Sequence, residues 1–273
     1  MYAAPAWARA AFWDEIRRGL TERGFPDLPE RLEEPGDLIA HWRSPDLAFS
    51  QTCGLPFSTA LRNEVALVGV PHYSAPGCEG PLYRSVFVVR DKDAARKLAD
   101  LPGRRAAVNS FDSHSGFSQL VAALRPFAGG RNVIADPVLS GAHLASLALI
   151  RSGAADFAAI DCATWALAAR DAPEAIAGLR IVGRSPPSLG LPFVTSRRTS
   201  PERLNALRET LDHLARDPTL ASVRDALMLG GFSVQLPDAY RGHAGGAEAA
   251  FKLLAGAPVG LFPHAEEHGL GLG

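Results

Sequence analysis

Small hydroxyl, imidazole and carboxylate side chains gather at three points between Asn109 and Trp165. In the stretch NSFDSHSGFSQL, Ser113, His114, Ser115 and Gly116 stand where the strand-like run RRAAVNS gives way to a helical stripe of Phe117, Leu120, Val121 and Leu124. In SGAHLASL, Ser140, Gly141 and His143 occupy the same kind of junction, and Asp161 closes FAAID immediately before a helix starting at Cys162. The first turn of a helix leaves backbone N–H groups unpaired at the positive end of its dipole. Serine hydroxyls add donors there, and a glycine lets a ligand approach the backbone, so such a junction can hold a small oxyanion. The same residues are also good helix N-caps, so ligand binding and capping both stand as readings. In an α/β sheet the ligand cleft lies at the carboxyl ends of the strands, and these three junctions would share one such edge.

Two further polar groups lie on the N-terminal side of this region. Gln51 and Thr52 in SQTCG follow the short run DLAF, and Tyr83 and Ser85 open YRSVFVVR. Other catalytic patterns are absent. HSG is not the G-x-S-x-G elbow of a hydrolase, and the glycines form neither a P-loop nor a dinucleotide fingerprint. No Cys/His spacing resembles a zinc site. The expectation is therefore a site without metal or cofactor.

The elements that must carry these residues follow from periodicity. Phe12, Trp13, Ile16 and Leu20 predict a helix over Ala6 to Glu22 with Gly24 as its stop. PGDLIAHW reads as a short helix, and DLAFSQ, VALVGV and YRSVFVVR as strands. From Asp91 onward strand and helix alternate: DKDAARKLADLPG is read as a helix, then RRAAVNS as a strand, the helix after Ser115, a strand in RNVIADPVLS, a helix in GAHLASLALIRSG, ADFAAID as a strand and CATWALAAR as a helix. That alternation predicts an α/β fold with a largely parallel sheet. The Pro/Gly-rich GRSPPSLGLPFVTS reads as a crossing between lobes. SPERLNALRETLDHLA follows as a helix, capped by Ser200 with Pro201 at its first position. The tail APVGLFPHAEEHGLGLG has no period and is read as mobile.

The 273 residues suffice for one large or two smaller lobes. Twenty-eight basic against 29 acidic residues, with no charge run, exclude the electrostatic footprint of a nucleic-acid binder. Three cysteines, Cys53, Cys78 and Cys162, are too few for a disulfide scaffold. A Cys53–Cys78 bridge is conceivable, and free thiols are the plainer reading. No apolar run would span a membrane. Arg9, Asp14, Glu15, Arg17 and Arg18 interrupt any signal-like segment, which places the chain as written in the cytoplasm, or in the periplasm if its true start is missing.

Taken in order, SQTCG, YRSVFVVR, VNSFDSHSGFSQL and SGAHLASLALIRSGAADFAAIDCATW resemble the phosphate/phosphite/phosphonate-binding proteins of ABC transporters. The resemblance covers about Trp42 to Ser200. It implies a two-lobed type II periplasmic-binding-protein-like fold, each lobe a mixed sheet flanked by helices. Lobe one would be residues 1–88 plus 187–273 and lobe two residues 89–186, with hinge crossings near 86–90 and 183–195. It implies a solute-binding protein for a small phosphorus oxyanion or organophosphonate held in the interlobe cleft, serving ABC-type uptake or sensing, with a transporter permease as partner. It assigns the oxyanion cradle to Ser113, His114, Ser115 and Gly116, a further contact to His143, the cleft acid to Asp161, the lobe-one aromatic to Tyr83 beside Ser85, and polar contacts to Gln51 and Thr52. Such proteins open with a strand that feeds the cleft, and Met1-Tyr2 stand where that strand would end. The rival reading is a cytoplasmic enzyme on the same fold, like those of the futalosine route to menaquinone, acting on a small carboxylated substrate, with His114 or His143 and Asp161 as an acid/base pair.

Overall fold

The computed structural model describes residues 2–254. The first helix, α1 (Ala6–Glu22), buries Ala8, Phe12, Trp13, Ile16, Gly19 and Leu20, and Gly24 ends it with a positive φ of 88°. A short helix, α2 (Leu38–Trp42), is capped by Asp37, whose carboxylate accepts from the Ala40 N–H. A first sheet follows, built by β1 (Ser50–Gln51) and, after α3 (Gly54–Ser58), β2 (Val65–Tyr73). The chain then enters β3 (Leu82–Tyr83) and β4 (Ser85–Arg90).

A second sheet uses β4 together with β5 (Arg105–Val108), β6 (Ala135–Leu139), β7 (Phe157–Asp161) and β8 (Leu179–Arg184). Three helices connect these strands: α4 (Gln119–Leu124), α5 (His143–Ser152) and α6 (Cys162–Asp171). The chain returns through β9 (Ser188–Leu189) to β10 (Phe193–Ser196), then forms α7 (Pro201–Arg216), α8 (Ala221–Leu227), β11 (Leu229–Ser233) and α9 (Arg241–Leu254).

The strand order is β6-β5-β7-β4-β8 in the second sheet and β1-β10-β2-β11 in the first, while β3 and β9 form a two-stranded ribbon. That ribbon lies in sequence where the chain leaves one sheet and comes back to the other. Parallel pairing is confined to β5 with β6 and β7; the three described pairings of the first sheet are all antiparallel. The reason is connectivity. β10 and β11 arrive from the far side of the second sheet or through helices, and each enters beside β2 running the opposite way. The tail APVGLFPHAEEHGLGLG lies outside the described residues.

The helix expected over DKDAARKLADLPG does not form; a single 3₁₀ turn, Leu98–Asp100, stands in its place. Its backbone groups are claimed by side chains instead. Asp93 accepts from the Ala95 N–H and from Arg104, Asp100 accepts from the N–H groups of Arg96 and Lys97, and Arg180 donates to the Asp91, Asp93 and Ala95 carbonyls. Acidic side chains that bond local N–H groups compete with the helical ladder. Arg104 also holds the Asp93 carboxyl down to about 2. DLAFSQ is strand only at Ser50–Gln51. The strand β8, the helices α8 and α9, and β11 have no counterpart in the sequence reading; β8, α8 and β11 are too short for a period to show, whereas α9, 14 residues long, carries an amphipathic pattern that the reading missed.

The first core gathers Phe12, Trp13, Ile16 and Leu20 of α1 against Leu207, Leu211 and Leu214 of α7, with Phe193. The second gathers Phe87, Phe117, Leu120 and Phe157 with Ala250 of α9. Ala163, Ala166 and Leu167 of α6 belong to the first core although α6 leaves the second sheet, so the two bodies share apolar surface. Close approach of α1 to α7 depends on Gly19: a Cβ there would lie 2.5 Å from the Thr210 side chain. Gly19→Ala should therefore lower stability by about 1–3 kcal/mol in chemical denaturation. Adding Thr210→Ala should recover much of that loss, and an unchanged midpoint in the single variant would show that the helices are free to move apart.

Candidate functional site

Asp161 ends β7 and caps α6. One oxygen accepts from the N–H of Ala163 at 2.8 Å and of Thr164 at 3.4 Å; the other accepts from the Tyr2 hydroxyl at 2.7 Å. The residue is 1% exposed. Burial raises its pKa to about 6, against the lowering effect of the Tyr2 hydrogen bond and the two backbone donors. The capping reading of this residue holds, and its second oxygen reaches beyond the cap to the Tyr2 hydroxyl.

From Asp161 a network runs into the first sheet. The Tyr2 ring packs edge-on against Tyr73 with centroids 4.8 Å apart. The Tyr73 hydroxyl accepts from Gln51 Nε2 at 3.0 Å, and the same nitrogen donates to the Leu191 carbonyl. Gln51 Oε1 is buried without a partner. Tyr83, on the ribbon, is 2% exposed, and its hydroxyl lies beside Ser115 without a well-formed hydrogen bond. Burial first, and then the neighbouring acids and thiols, raises the pKa of all three tyrosines, so each stays a neutral O–H donor.

The stretch from Ser113 enters its helix through one wide turn, His114–Ser118, in which the Ser118 N–H reaches back five residues to the Ser113 carbonyl. Such π turns recur at functional positions. Ser113 is the cap: its hydroxyl accepts from the Gly116 N–H at 3.1 Å and keeps its own hydrogen to give. The Ser115 hydroxyl pairs with His143 Nε2 at 2.9 Å, and the Ser85 hydroxyl donates to the Ser115 carbonyl at 2.9 Å. Ser85 is thus spent on holding the turn. Gly116 answers to a protein neighbour: a Cβ there would meet the Asn109 side chain at 1.8 Å and His143 at 3.2 Å. The Thr52 hydroxyl donates to the adjacent Cys53 carbonyl at 3.4 Å, a local contact. Ser140 donates to the Val108 and Ala142 carbonyls and pairs with Ser146, closing its own junction.

His114 joins the two sides. Its N–H donates to Cys53 Sγ at 3.4 Å, its ring lies 3.7 Å from that of His243 in α9, and its Nε2 sits 3.2 Å from Gln119. Its Nδ1, the Nδ1 of His143 and Asn109 Oδ1 are buried without partners. Burial lowers the pKa of His143 and of His243 to about 4; burial, and then the charge of His243, takes His114 well below its usual value. All three are neutral at pH 7, so none of these imidazoles brings a positive charge to the cluster.

Sequence reasoning missed Tyr73, Asn109 and His243 as members of this cluster. Tyr73 and His243 lie on elements with no polar pattern of their own, and Asn109 sat in the quoted stretch without a spacing to mark it. Tyr2 was singled out only by its place where a cleft-feeding strand would end. The Cys53–Cys78 pairing does not form: Cys53 faces His114, while Cys78 Sγ lies 3.4 Å from Cys162 Sγ.

The chain matches the family model for periplasmic substrate-binding proteins of phosphonate ABC transporters over residues 42–240. PhnD1 from Prochlorococcus marinus, solved in complex with methylphosphonate, has a TM-score of 0.69 at 17% identity, covering 89% of this chain and 92% of that one. The binding protein component of an ABC phosphonate transporter from Pseudomonas aeruginosa has a TM-score of 0.69 at 14% identity, covering 95% and 87%. A curated protein of Rhodopseudomonas palustris whose name suggests a hydro-lyase is 32% identical over 106 residues, and the match covers 39% of its length. The chain belongs to the phosphonate substrate-binding protein family, which is periplasmic, and it has the type II periplasmic-binding-protein fold. This family and these structural neighbours are binding proteins, so the rival enzyme reading is not favoured. No described helix is long and apolar enough to cross a membrane.

The shifted groups pull stability in opposite directions with pH. Asp161, raised to about 6, binds its proton more tightly folded than unfolded, so its contribution falls as pH rises from about 4 to about 6. His143 and His243, lowered to about 4, bind protons less tightly folded, so their contribution grows as pH rises from about 4 to about 6.5. Asp161→Asn removes the opposing slope. Urea denaturation between pH 4 and 6 should show stability climbing more steeply in the variant, by up to about 1.4 kcal/mol per pH unit. Parallel profiles would mean that the carboxyl titrates normally.

Proposed function

We propose that the space between the two sheets binds a small phosphorus oxyanion or organophosphonate as cargo for an ABC transporter. The observation that carries this reading is the buried Asp161 carboxyl, facing neutral donors supplied from both sheets and the ribbon between them. Tyr2, Gln51, Tyr73 and Tyr83 approach from one side, and the wide turn with His114 and Ser115 from the other. The positive end of that turn and the spare hydroxyl hydrogen of Ser113 supply attraction for the anion. His143 holds Ser115 in place from behind.

Asp161 sets which protonation state fits. A fully ionised ligand would be repelled by it, whereas a ligand oxygen that still carries a proton can donate to it. With its imidazoles neutral, the site favours a monoanion over a dianion, a discrimination by charge. The lobes of this reading are residues 1–88 with 187–273, and 89–186, closing on the ligand; because 86–90 lies inside β4, paired on both edges within the second sheet, the hinge is better placed at the β3–β9 ribbon. Membership of a periplasmic family supports action in the periplasm over the cytoplasmic reading.

Thermal unfolding against phosphate, phosphite, sulfate, methylphosphonate and aminoethylphosphonate tests the proposal. At about 100 times Kd one ligand should add about 2.7 kcal/mol of stability, a rise of several degrees in Tm. Ser113→Ala with Ser115→Ala should remove that rise while leaving the unliganded Tm within a few degrees. Tyr83→Phe, which deletes one donor and keeps the ring, should weaken binding about five- to thirtyfold, corresponding to ~1–2 kcal/mol. A flat response across the panel would overturn the ligand assignment.

A further inference from the structure

The site leaves one reactive pair unused. Cys78 lies in the loop that carries the chain from β2 to the ribbon, and Cys162 is the first residue of α6, adjacent to Asp161. Their sulfurs are 3.4 Å apart, already in van der Waals contact. Gly77 lets this loop approach Cys162: its φ of 110° is one that other residues rarely adopt, and a Cβ there would stand 3.2 Å from Cys162 Cβ and 3.3 Å from its sulfur. Cys162 is fixed in this orientation by its N–H bond to the Arg84 carbonyl and by the Asp161 cap one residue before it. Cys162 is buried and Cys78 is half-buried, so an oxidant meets Cys78 first.

We propose that Cys78 and Cys162 form a disulfide under oxidising conditions, and that this bond ties the β2 end of the first sheet to the helix carrying the site carboxyl. The co-reactant is a disulfide donor. Its sulfur–sulfur bond exchanges with the Cys78 thiol, releasing one donor thiol and leaving a mixed disulfide. The Cys162 thiolate then displaces the second donor thiol. Two protein thiols are oxidised, one donor disulfide is reduced to two thiols, and the two protein protons end on the products. The sulfur of Cys162 is placed for this attack, since it already lies 3.4 Å from that of Cys78 in the reduced chain. The periplasm, where this family works, is a compartment in which disulfides form and persist. Cys53 takes no part: its sulfur faces the His114 N–H, and burial raises its pKa.

The consequence for movement rests on the closure described under the proposed function; the pairing does not. Oxidation should slow opening, because α6 would be tethered across the region where the chain passes between sheets. Treating the full chain with oxidised glutathione under native conditions should reduce its titratable thiols from three to one, with proteolytic mapping placing the new bond between Cys78 and Cys162. Cys53→Ser should still form the bond, and Cys78→Ser should not. Stable glutathione adducts, or a bond to Cys53, would overturn the pairing. Hydrogen exchange at the α6 amides gives a readout that needs no ligand: it should slow at least severalfold on oxidation and recover on reduction, and equal rates in both forms would overturn the tether. A correct bond in a chain that responds to no ligand of the thermal-unfolding panel in either redox state would leave this inference standing and sink the ligand reading instead.

Discussion

A carboxyl group taken out of water between two sheets constrains everything around it. Leaving a carboxylate buried and unpaired is costly, so Asp161 must be met by donors or hold its proton. The fold answers with the first N–H groups of α6 and with the Tyr2 hydroxyl brought from the chain's beginning. Those partners fix where β7 stops, where α6 starts and how the residues before α1 lie. The aromatic contact between Tyr2 and Tyr73, and the bond between Tyr73 and Gln51, carry the same constraint into the first sheet. Two bodies with separate sheets are thereby joined through one polar chain as well as through shared apolar surface.

The neutrality of the histidines belongs to the same logic. The His114 and His243 rings lie too close together, and in too dry a place, for both to carry charge. With both neutral they pack as flat apolar rings that keep donor and acceptor edges. On the proposed reading, attraction for an anion then rests on the wide turn at Ser113 and on hydroxyl groups, whose hydrogens can be aimed. Asp161 opposes that attraction unless a proton lies between it and the ligand. Recognition of this type is sensitive to the protonation state of the guest and less so to its size.

Much of this was legible in the residues. The helix over Ala6–Glu22 showed its period and its stop, and each strand-to-helix junction after Asn109 announced itself by a Ser, His or Asp beside the turn. These signals are local, and local pattern survives translation into structure. What stayed hidden was assembled from afar. Tyr73 lies in a strand whose apolar character masks its role. His243 comes from a helix more than a hundred residues beyond the turn it touches. The false helix over DKDAARKLADLPG fails for a reason no spacing reveals, since Arg104, the next residue, turns back onto the Asp93 carboxylate and Arg180 arrives from β8 to use its carbonyls. The serine cluster held a subtler lesson: Ser85 and Ser140 carry hydroxyls suited to a ligand, and their protons go to carbonyls of the chain.

The position of α9 gives the two sheets a second seam. This helix follows β11 of the first sheet, yet Ala250 is buried in the core of the second, and the His243 ring lies 3.7 Å from that of His114 in the wide turn. Any separation of the two sheets at this place must expose both imidazoles and a buried alanine together. The resting distance between the sheets is therefore set in part by the last described helix, far in sequence from the junction it holds.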